Sequence, residues 1–288
     1  MKKGRKNLSS CFGSLQKEIE YIEQQVDSCD ENESFFLLKI HQLKGHIQSI
    51  YLVEYPQQLM LLDGCCGADI TMLEQFITRD LNRAFSDLKL IVVTHMHPDH
   101  AGAAHKLRNI TGCKIASANM PSQWYTGLGG RFTHLVDIAL ATWVASIMRK
   151  ARKNLWYSPH LKIDYALMDQ DTVPGFDDWC VLTTEGHTDR DLSVLHRPSK
   201  RIYVADLLVK VKDRFIPPIP VHYPEQYRAS ILKVQALQPV SMMLAHGGEV
   251  QLAERDFAHV LTVAPRKPFT VWTPAKNKLK RLLLRKEG

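Results

Sequence analysis

The chain has no apolar run near the ~20 residues that a membrane-spanning helix requires, so no bilayer span is expected. It has no Gly-x-Ser-x-Gly elbow and no Walker phosphate loop, which removes serine-elbow hydrolysis and P-loop nucleotide binding. Cysteine is sparse: six residues at 11, 29, 65, 66, 113 and 180, with no paired spacing and no Cys-x-x-Cys. A chain of 288 residues can bury a sizeable core without disulfide staples. The Cys65-Cys66 pair has no second pair to close a thiolate metal site, so reduced, structural thiols are expected. The basic opening, Met1 to Ser10, is not followed by the apolar stretch of a secretory signal. Together these absences describe a cytoplasmic protein. Low-complexity segments and short-period repeats are missing too.

What is present is ordinary globular material, 45% apolar, with a formal charge of +7. Part of the positive excess lies in Lys276, Lys278, Lys280, Arg281, Arg285 and Lys286. Leu279, Leu282 and Leu283 recur among them at helical spacing, so the segment reads as a basic helix laid on the body or on a partner. No aromatics are interleaved with those cations, and nucleic-acid binding is not favoured. A small-molecule substrate is the expected partner, and a homodimer is compatible with the pattern.

Periodicity organises the rest. Leu15, Ile19, Ile22 and Val26 predict one amphipathic helix in residues 1–34. FFLLKI, HIQSIYLVEY and QLMLLD then read as successive strands, broken at Gly45 and at Pro56-Gln57-Gln58. Asp69–Phe85 reads as a helix, and Leu88–Thr94 as a strand buried on both faces. Ala101–Asn109 (helix) and Lys114–Ala118 (strand) follow. Residues 119–165 break this rhythm with a helical pattern over Leu135–Lys153 and with Trp124, Tyr125, Trp143, Trp156 and Tyr157 around it. Strands resume at Trp179–Thr184, Asp191–His196, Arg201–Val204 and Val240–Leu244, with a helix at Pro224–Leu237. The order argues for a layered α/β sandwich, with 119–165 as a helical insertion. The expected divisions are an extension at 1–34, a catalytic domain at 35–265 and a basic tail at 266–288.

One cluster carries chemistry. In Thr94-His95-Met96-His97-Pro98-Asp99-His100, four metal-ligating side chains fall within six residues, just past a buried strand. His95 and His97, two apart in extended chain, point the same way and can bind one metal together. Asp99 and His100 follow Pro98 into the next helix and can reach a second. Such a charge-dense group beside an apolar strand is costly unless a cation or water satisfies it.

THMHPDHAG resembles the His-x-His-x-Asp-His signature of the metallo-β-lactamase superfamily. Leu61-Leu62-Asp63-Gly64, Glu185-Gly186-His187-Thr188, Val204-Ala205-Asp206 and Leu244-Ala245-His246-Gly247-Gly248 resemble its other elements, in order. The resemblance implies an αββα four-layer sandwich with a dinuclear centre at one edge between two sheets. It assigns His95, His97 and His187 to one ion and Asp99, His100 and His246 to the other, with Asp206 bridging. Asp63 would steady a ligand loop through hydrogen bonds. Two divalent ions are implied, zinc first, with iron or manganese as alternatives. A water shared between them would attack the substrate, with Asp99 orienting it and accepting its proton. After Gly-His-Thr the family often continues Pro-Gly-His, whereas this chain has Asp189-Arg190-Asp191.

The chain looks most like the glyoxalase II and lactonase-like branches, which implies hydrolysis of a small ester-like substrate: a thioester, a lactone or a related carbonyl. A phosphodiesterase and a mononuclear-iron persulfide dioxygenase are the competing readings. Trp124, Tyr125 and Tyr223 are the expected substrate contacts, with Trp143 and Trp156 as further candidates on the insertion.

Overall fold

The computed structural model describes residues 38–270. The helix expected in 1–34 and the basic segment after residue 270 lie outside the described residues.

Two mixed sheets stack face to face. The first has six strands in the order β1 (Lys39–Lys44), β2 (Ser49–Glu54), β3 (Leu59–Leu62), β4 (Leu88–Val93), β5 (Lys114–Ala118) and β6 (Tyr165–Leu167). The second runs β13 (Gly248–Val250), β12 (Ser241–His246), β10 (Arg201–Val211), β9 (Leu192–His196), β8 (Phe176–Thr183) and β7 (Thr172–Val173), with β11 (Arg214–Ile216) on β10. Helices cover the outer faces. On the first sheet lie α1 (Ile70–Gln75), α2 (Pro98–Ala101) and α3 (Ala104–Thr111), and on the second α5 (Pro224–Ala236) and α6 (Glu254–Val263). The long α4 (Gly127–Ile147) belongs to the 119–165 segment.

The period of two along each strand builds the layers. On β4, Leu90 and Val92 enter the core between the sheets, while Ile91 and Val93 meet the helices. β3 divides the same way, with Met60 and Leu62 inward and Leu59 and Leu61 outward. On β8, Trp179 and Val181 face the first sheet and Cys180 and Leu182 face α5 and α6. A strand buried on both faces has no polar alternation, which is why LKLIVV is almost continuously apolar. The expected αββα sandwich is the observed one.

The differences are local. The helix expected over Leu135–Lys153 runs from Gly127 to Ile147. Gly129 and Gly130 disguise its start, because glycine disfavours helix. Gly130 is needed there, since a Cβ would lie 2.5 Å from the Tyr125 carbonyl carbon. The helix expected over Asp69–Phe85 shortens to α1 and a wider turn over Phe76–Asp80. α6 and the short strands β6, β7, β11 and β13 had no signal strong enough to read. Among the described residues no helix is long and apolar enough to cross a membrane.

Candidate metal centre

β3, β4 and β5 are parallel and end at the same edge of their sheet, as do the parallel β10 and β12 of the other. Strand ends of this kind carry the loops that build sites. Asp63 follows β3 and Thr94 follows β4, and the Asp63 Oδ1 accepts the Thr94 N–H at 2.7 Å. His95 and His97 lie in the loop beyond, and Pro98 occupies the first turn of α2, where its missing N–H costs nothing. That turn brings Asp99 and His100 round to the same side.

The second sheet supplies the rest. His187 follows β8, and His246 ends β12. Asp206 sits where the β10–β12 ladder slips: pairing passes from Ala205–Leu244 to Val209–His246, so β10 advances four residues for two of its partner. Ala205 adopts φ 45°. A bulge of this kind re-aims a side chain out of the ladder. Gly186 lets the His187 loop pass α5, because a Cβ there would lie 2.4 Å from the Tyr227 Cα, and its φ is 145°.

The seven side chains converge as two clusters. Nε2 of His95 and Nε2 of His187 lie 3.0 and 2.9 Å from Nδ1 of His97. Asp206 Oδ2 is 3.5 Å from His187 Nε2 and 4.0 Å from His95 Nε2. Its Oδ1 turns to the other cluster, 3.4 Å from both His100 Nε2 and His246 Nε2. Asp99 Oδ2 completes that cluster, 3.1 Å from His246 Nε2 and 3.5 Å from His100 Nε2.

This donor set fits divalent ions. Burial holds His95 far below the usual imidazole range, lowers His97 to about 4 and lowers His187, so all three remain neutral with lone pairs available. Nitrogens around a tetrahedral ion with bonds of ~2.0–2.1 Å sit about 3.3 Å apart, close to the spacing seen. His97 Nδ1 faces both of the other nitrogens but carries either one proton or one lone pair, so it can satisfy only one of the two contacts as a hydrogen bond. In the other cluster burial opposes the charging of His100 and His246, yet the surrounding carboxylates raise both, His100 well above the imidazole range. His100 Nε2 and Asp206 Oδ1 are buried without a hydrogen-bond partner, as expected of groups that wait for a cation.

A supporting layer holds these groups in place. The Asp63 carboxylate accepts hydrogen bonds from His100 Nδ1 at 2.8 Å, Tyr203 Oη at 2.6 Å and Thr94 Oγ1 at 2.9 Å. His187 Nδ1 donates to the Pro220 carbonyl at 2.6 Å. Each bond fixes which ring nitrogen faces the centre. The Asp189-Arg190-Asp191 departure has a use here. Asp191 accepts from the Thr188 N–H and hydroxyl, each at 2.6 Å, and Arg190 pairs with Asp189 and donates to the Ser122 carbonyl.

Some expected residues stand elsewhere. Tyr125 is 1% exposed and donates to Asp137 at 2.8 Å; Tyr157 donates to the Met96 carbonyl. Both brace the histidine loop from behind. Trp124 lies under Arg190, its ring centroid 5.5 Å from the guanidinium, and off the cavity wall. Tyr223 precedes α5 and is also off that wall, while Trp143 and Trp156 are exposed. Aromatic content marked these residues, but it carries no direction. One residue that sequence reasoning missed is Asp137, which lines the cavity with its Oδ2 3.9 Å from His97 Nε2. It is the one acid in α4, and that isolation was the available signal. Cys65 and Cys66 are buried and in neither cluster, and burial pushes both thiols well up.

The Metallo-beta-lactamase superfamily profile matches residues 43–246. A probable metallo-hydrolase of Bacillus subtilis (strain 168), YflN, is 23% identical over 242 residues, 77% of this chain and 88% of the relative. Among solved structures, the TTHA1429 metallo-beta-lactamase family protein of Thermus thermophilus aligns with a TM-score of 0.58 at 19% identity, covering 78% of each chain. The ST1585 superfamily protein of Sulfolobus tokodaii aligns with a TM-score of 0.56 at 19% identity, covering 77% of this chain and 84% of its own.

Proposed function

Because the chain belongs to the metallo-β-lactamase superfamily, we propose that it is a metal-dependent hydrolase of a small ester-like substrate: a thioester, lactone or related carbonyl compound. The observation that carries this is one carboxylate, Asp206, shared by two buried donor clusters at the end of a cavity with largely apolar walls. His95, His97, His187 and Asp206 would hold one divalent ion, and Asp99, His100, His246 and Asp206 the other, zinc being the expected metal. Ions bound there supply a water of lowered pKa and a Lewis acid for the substrate oxygen.

The chain's own groups do the rest. Asp206 and Asp99 present oxygens to the centre, and Asp99 is placed to orient the attacking water and take its proton. Asp63, held by Tyr203 and Thr94, takes the His100 Nδ1–H, which would leave Nε2 to face a bound ion. The cavity wall is largely apolar, which favours a substrate with an apolar acyl part. The 119–165 segment, as an insertion in a domain of 35–265, contributes α4 to that wall.

The test is metal quantification on purified protein beside thioester, lactone, β-lactam and phosphodiester substrates. Two ions per chain and hydrolysis of carbonyl esters are expected, with both lost in Asp206→Ala. A single iron per chain with oxygen uptake on a persulfide, or cleavage confined to phosphodiesters, would overturn the reading.

A further inference from the structure

The clusters close one end of a cavity of about 810 Å³. One face of α4 forms a long wall: Asp137, Leu140, Ala141, Val144 and Ile147 lie on it at helical spacing, and Met148 follows at its end. Asp137 stands beside His97, and Ile147 is 61% exposed at the outer end. Ten residues of helix separate them, a run of about 15 Å at 1.5 Å per residue. The facing wall is β10, β11 and the loop after them, with Val209, Ile216 and Ile219. Ile219 is 62% exposed, so both walls end in an apolar lip. An apolar channel with uncovered lips that leads to polar groups is what an amphiphile with a hydrocarbon chain would fill.

The charge on the lining points the same way. Lys44 and Lys210 are exposed there, and neither has a carboxylate within ion-pair distance among the described residues. Lys210 Nζ lies 6.0 Å over the Phe215 ring. Two unpaired ammonium groups beside an apolar channel complement an anionic group on the ligand.

We propose that this site takes fatty-acyl esters, oxygen or sulfur, whose leaving group is anionic. The acyl chain lies along α4, the scissile carbonyl meets the metal centre, and the leaving group's anion reaches Lys44 or Lys210. Water adds to the acyl carbon and the bond to oxygen or sulfur breaks. The alcohol or thiol leaves with a proton, and the fatty acid is released as its carboxylate with the second proton passing to solvent. This assignment rests on the hydrolase reading above.

The experiment compares acetyl, hexanoyl, decanoyl and palmitoyl thioesters of coenzyme A with the same acyl thioesters of the neutral thiol N-acetylcysteamine. In parallel, decanoate displaces a fluorescent fatty acid from chelated protein. For wild type, kcat/KM should rise about three- to fourfold per methylene up to the lip, and decanoate should compete. In Val144→Trp the decanoyl-to-acetyl ratio should fall by more than about tenfold, and decanoate should stop competing. In Lys44→Glu/Lys210→Glu the preference for coenzyme A over the neutral thiol should disappear. Equal kcat/KM for acetyl and decanoyl thioesters, with no decanoate competition, would overturn the acyl-chain site and leave the hydrolase reading intact. No hydrolysis of any ester, with both ions loaded and decanoate still bound, would overturn the hydrolase reading and not the chain site.

Discussion

Asp63→Asn is the sharpest probe of how the centre is organised. Asp63 is 3% exposed, and its carboxylate accepts from the Thr94 N–H, the Thr94 hydroxyl, His100 Nδ1 and Tyr203 Oη. Asparagine keeps the shape and one oxygen, which can stay with Thr94. Its amide N–H₂ then replaces Oδ2, the atom that received both His100 and Tyr203, and donor faces donor. Losing two hydrogen bonds to a charged acceptor costs about 3–6 kcal/mol in total. The cheapest relief is for His100 to move its proton to Nε2 and accept at Nδ1. That tautomer has no lone pair for a metal, so the Asp99–His100–His246 cluster should weaken by about 10–100-fold, or ~1.4–2.7 kcal/mol. The cluster of His95, His97 and His187 does not touch Asp63 and should keep its ion. Urea unfolding of the chelated protein measures the first effect, and metal titration read by elemental analysis measures the second. If Asp63→Asn bound both ions with wild-type affinity, the tautomer argument would be wrong.

Gly186→Ala should distort the His187 loop, since its Cβ would lie 2.6 Å from the Tyr227 nitrogen; more than about tenfold weaker binding of one ion is expected in the same titration. Trp179→Ala removes a fully buried ring between the sheets and should cost about 3–5 kcal/mol in urea while folded molecules retain activity. Burial lowers His196 to about 4, against about 6.5 unfolded, so the folded state binds fewer protons in that window. Stability from this group is complete above about pH 6.5 and falls with decreasing pH, by about 2 kcal/mol at pH 5. Chelated wild type should therefore lose more stability between pH 7 and pH 5 than chelated His196→Gln, and equal losses would refute the assignment.

How much of this was legible in the sequence depends on how local each signal is. LKLIVV declared a doubly buried strand because burial on both faces leaves almost no polar position, Lys89 alone being exposed. Lys114–Ala118 was legible to the residue because Gly112, at φ 77°, ends the helix before it. The two- and three-residue strands β6, β7, β11 and β13 are held by pairing with neighbours, and nothing inside them requires that conformation. The start of α4 was hidden because Gly130 answers to a clash with Tyr125, a demand from outside the helix.

The same division explains the site. The ligand candidates were legible because ligation restricts chemistry: few residue types bind a cation, and four of them stand within six positions at 95–100. The groups that orient them were legible only where a short motif named them, as Asp63 was. Tyr203 was invisible, since its hydroxyl acts on a residue 140 positions away across the two sheets. The cavity was invisible for a stronger reason. Leu140, Ala141 and Val144 read as ordinary core spacing, and Ala141 and Val144 do pack on a small core cluster, while the placement of α4 over the metal edge turns part of the same face to the cavity. A hydrophobic stripe states that something apolar must cover it, never what. On the proposal above, substrate choice would rest on the 119–165 segment and the β10–β11 wall that faces it, while the chemistry would rest on strand ends that the sequence marks plainly.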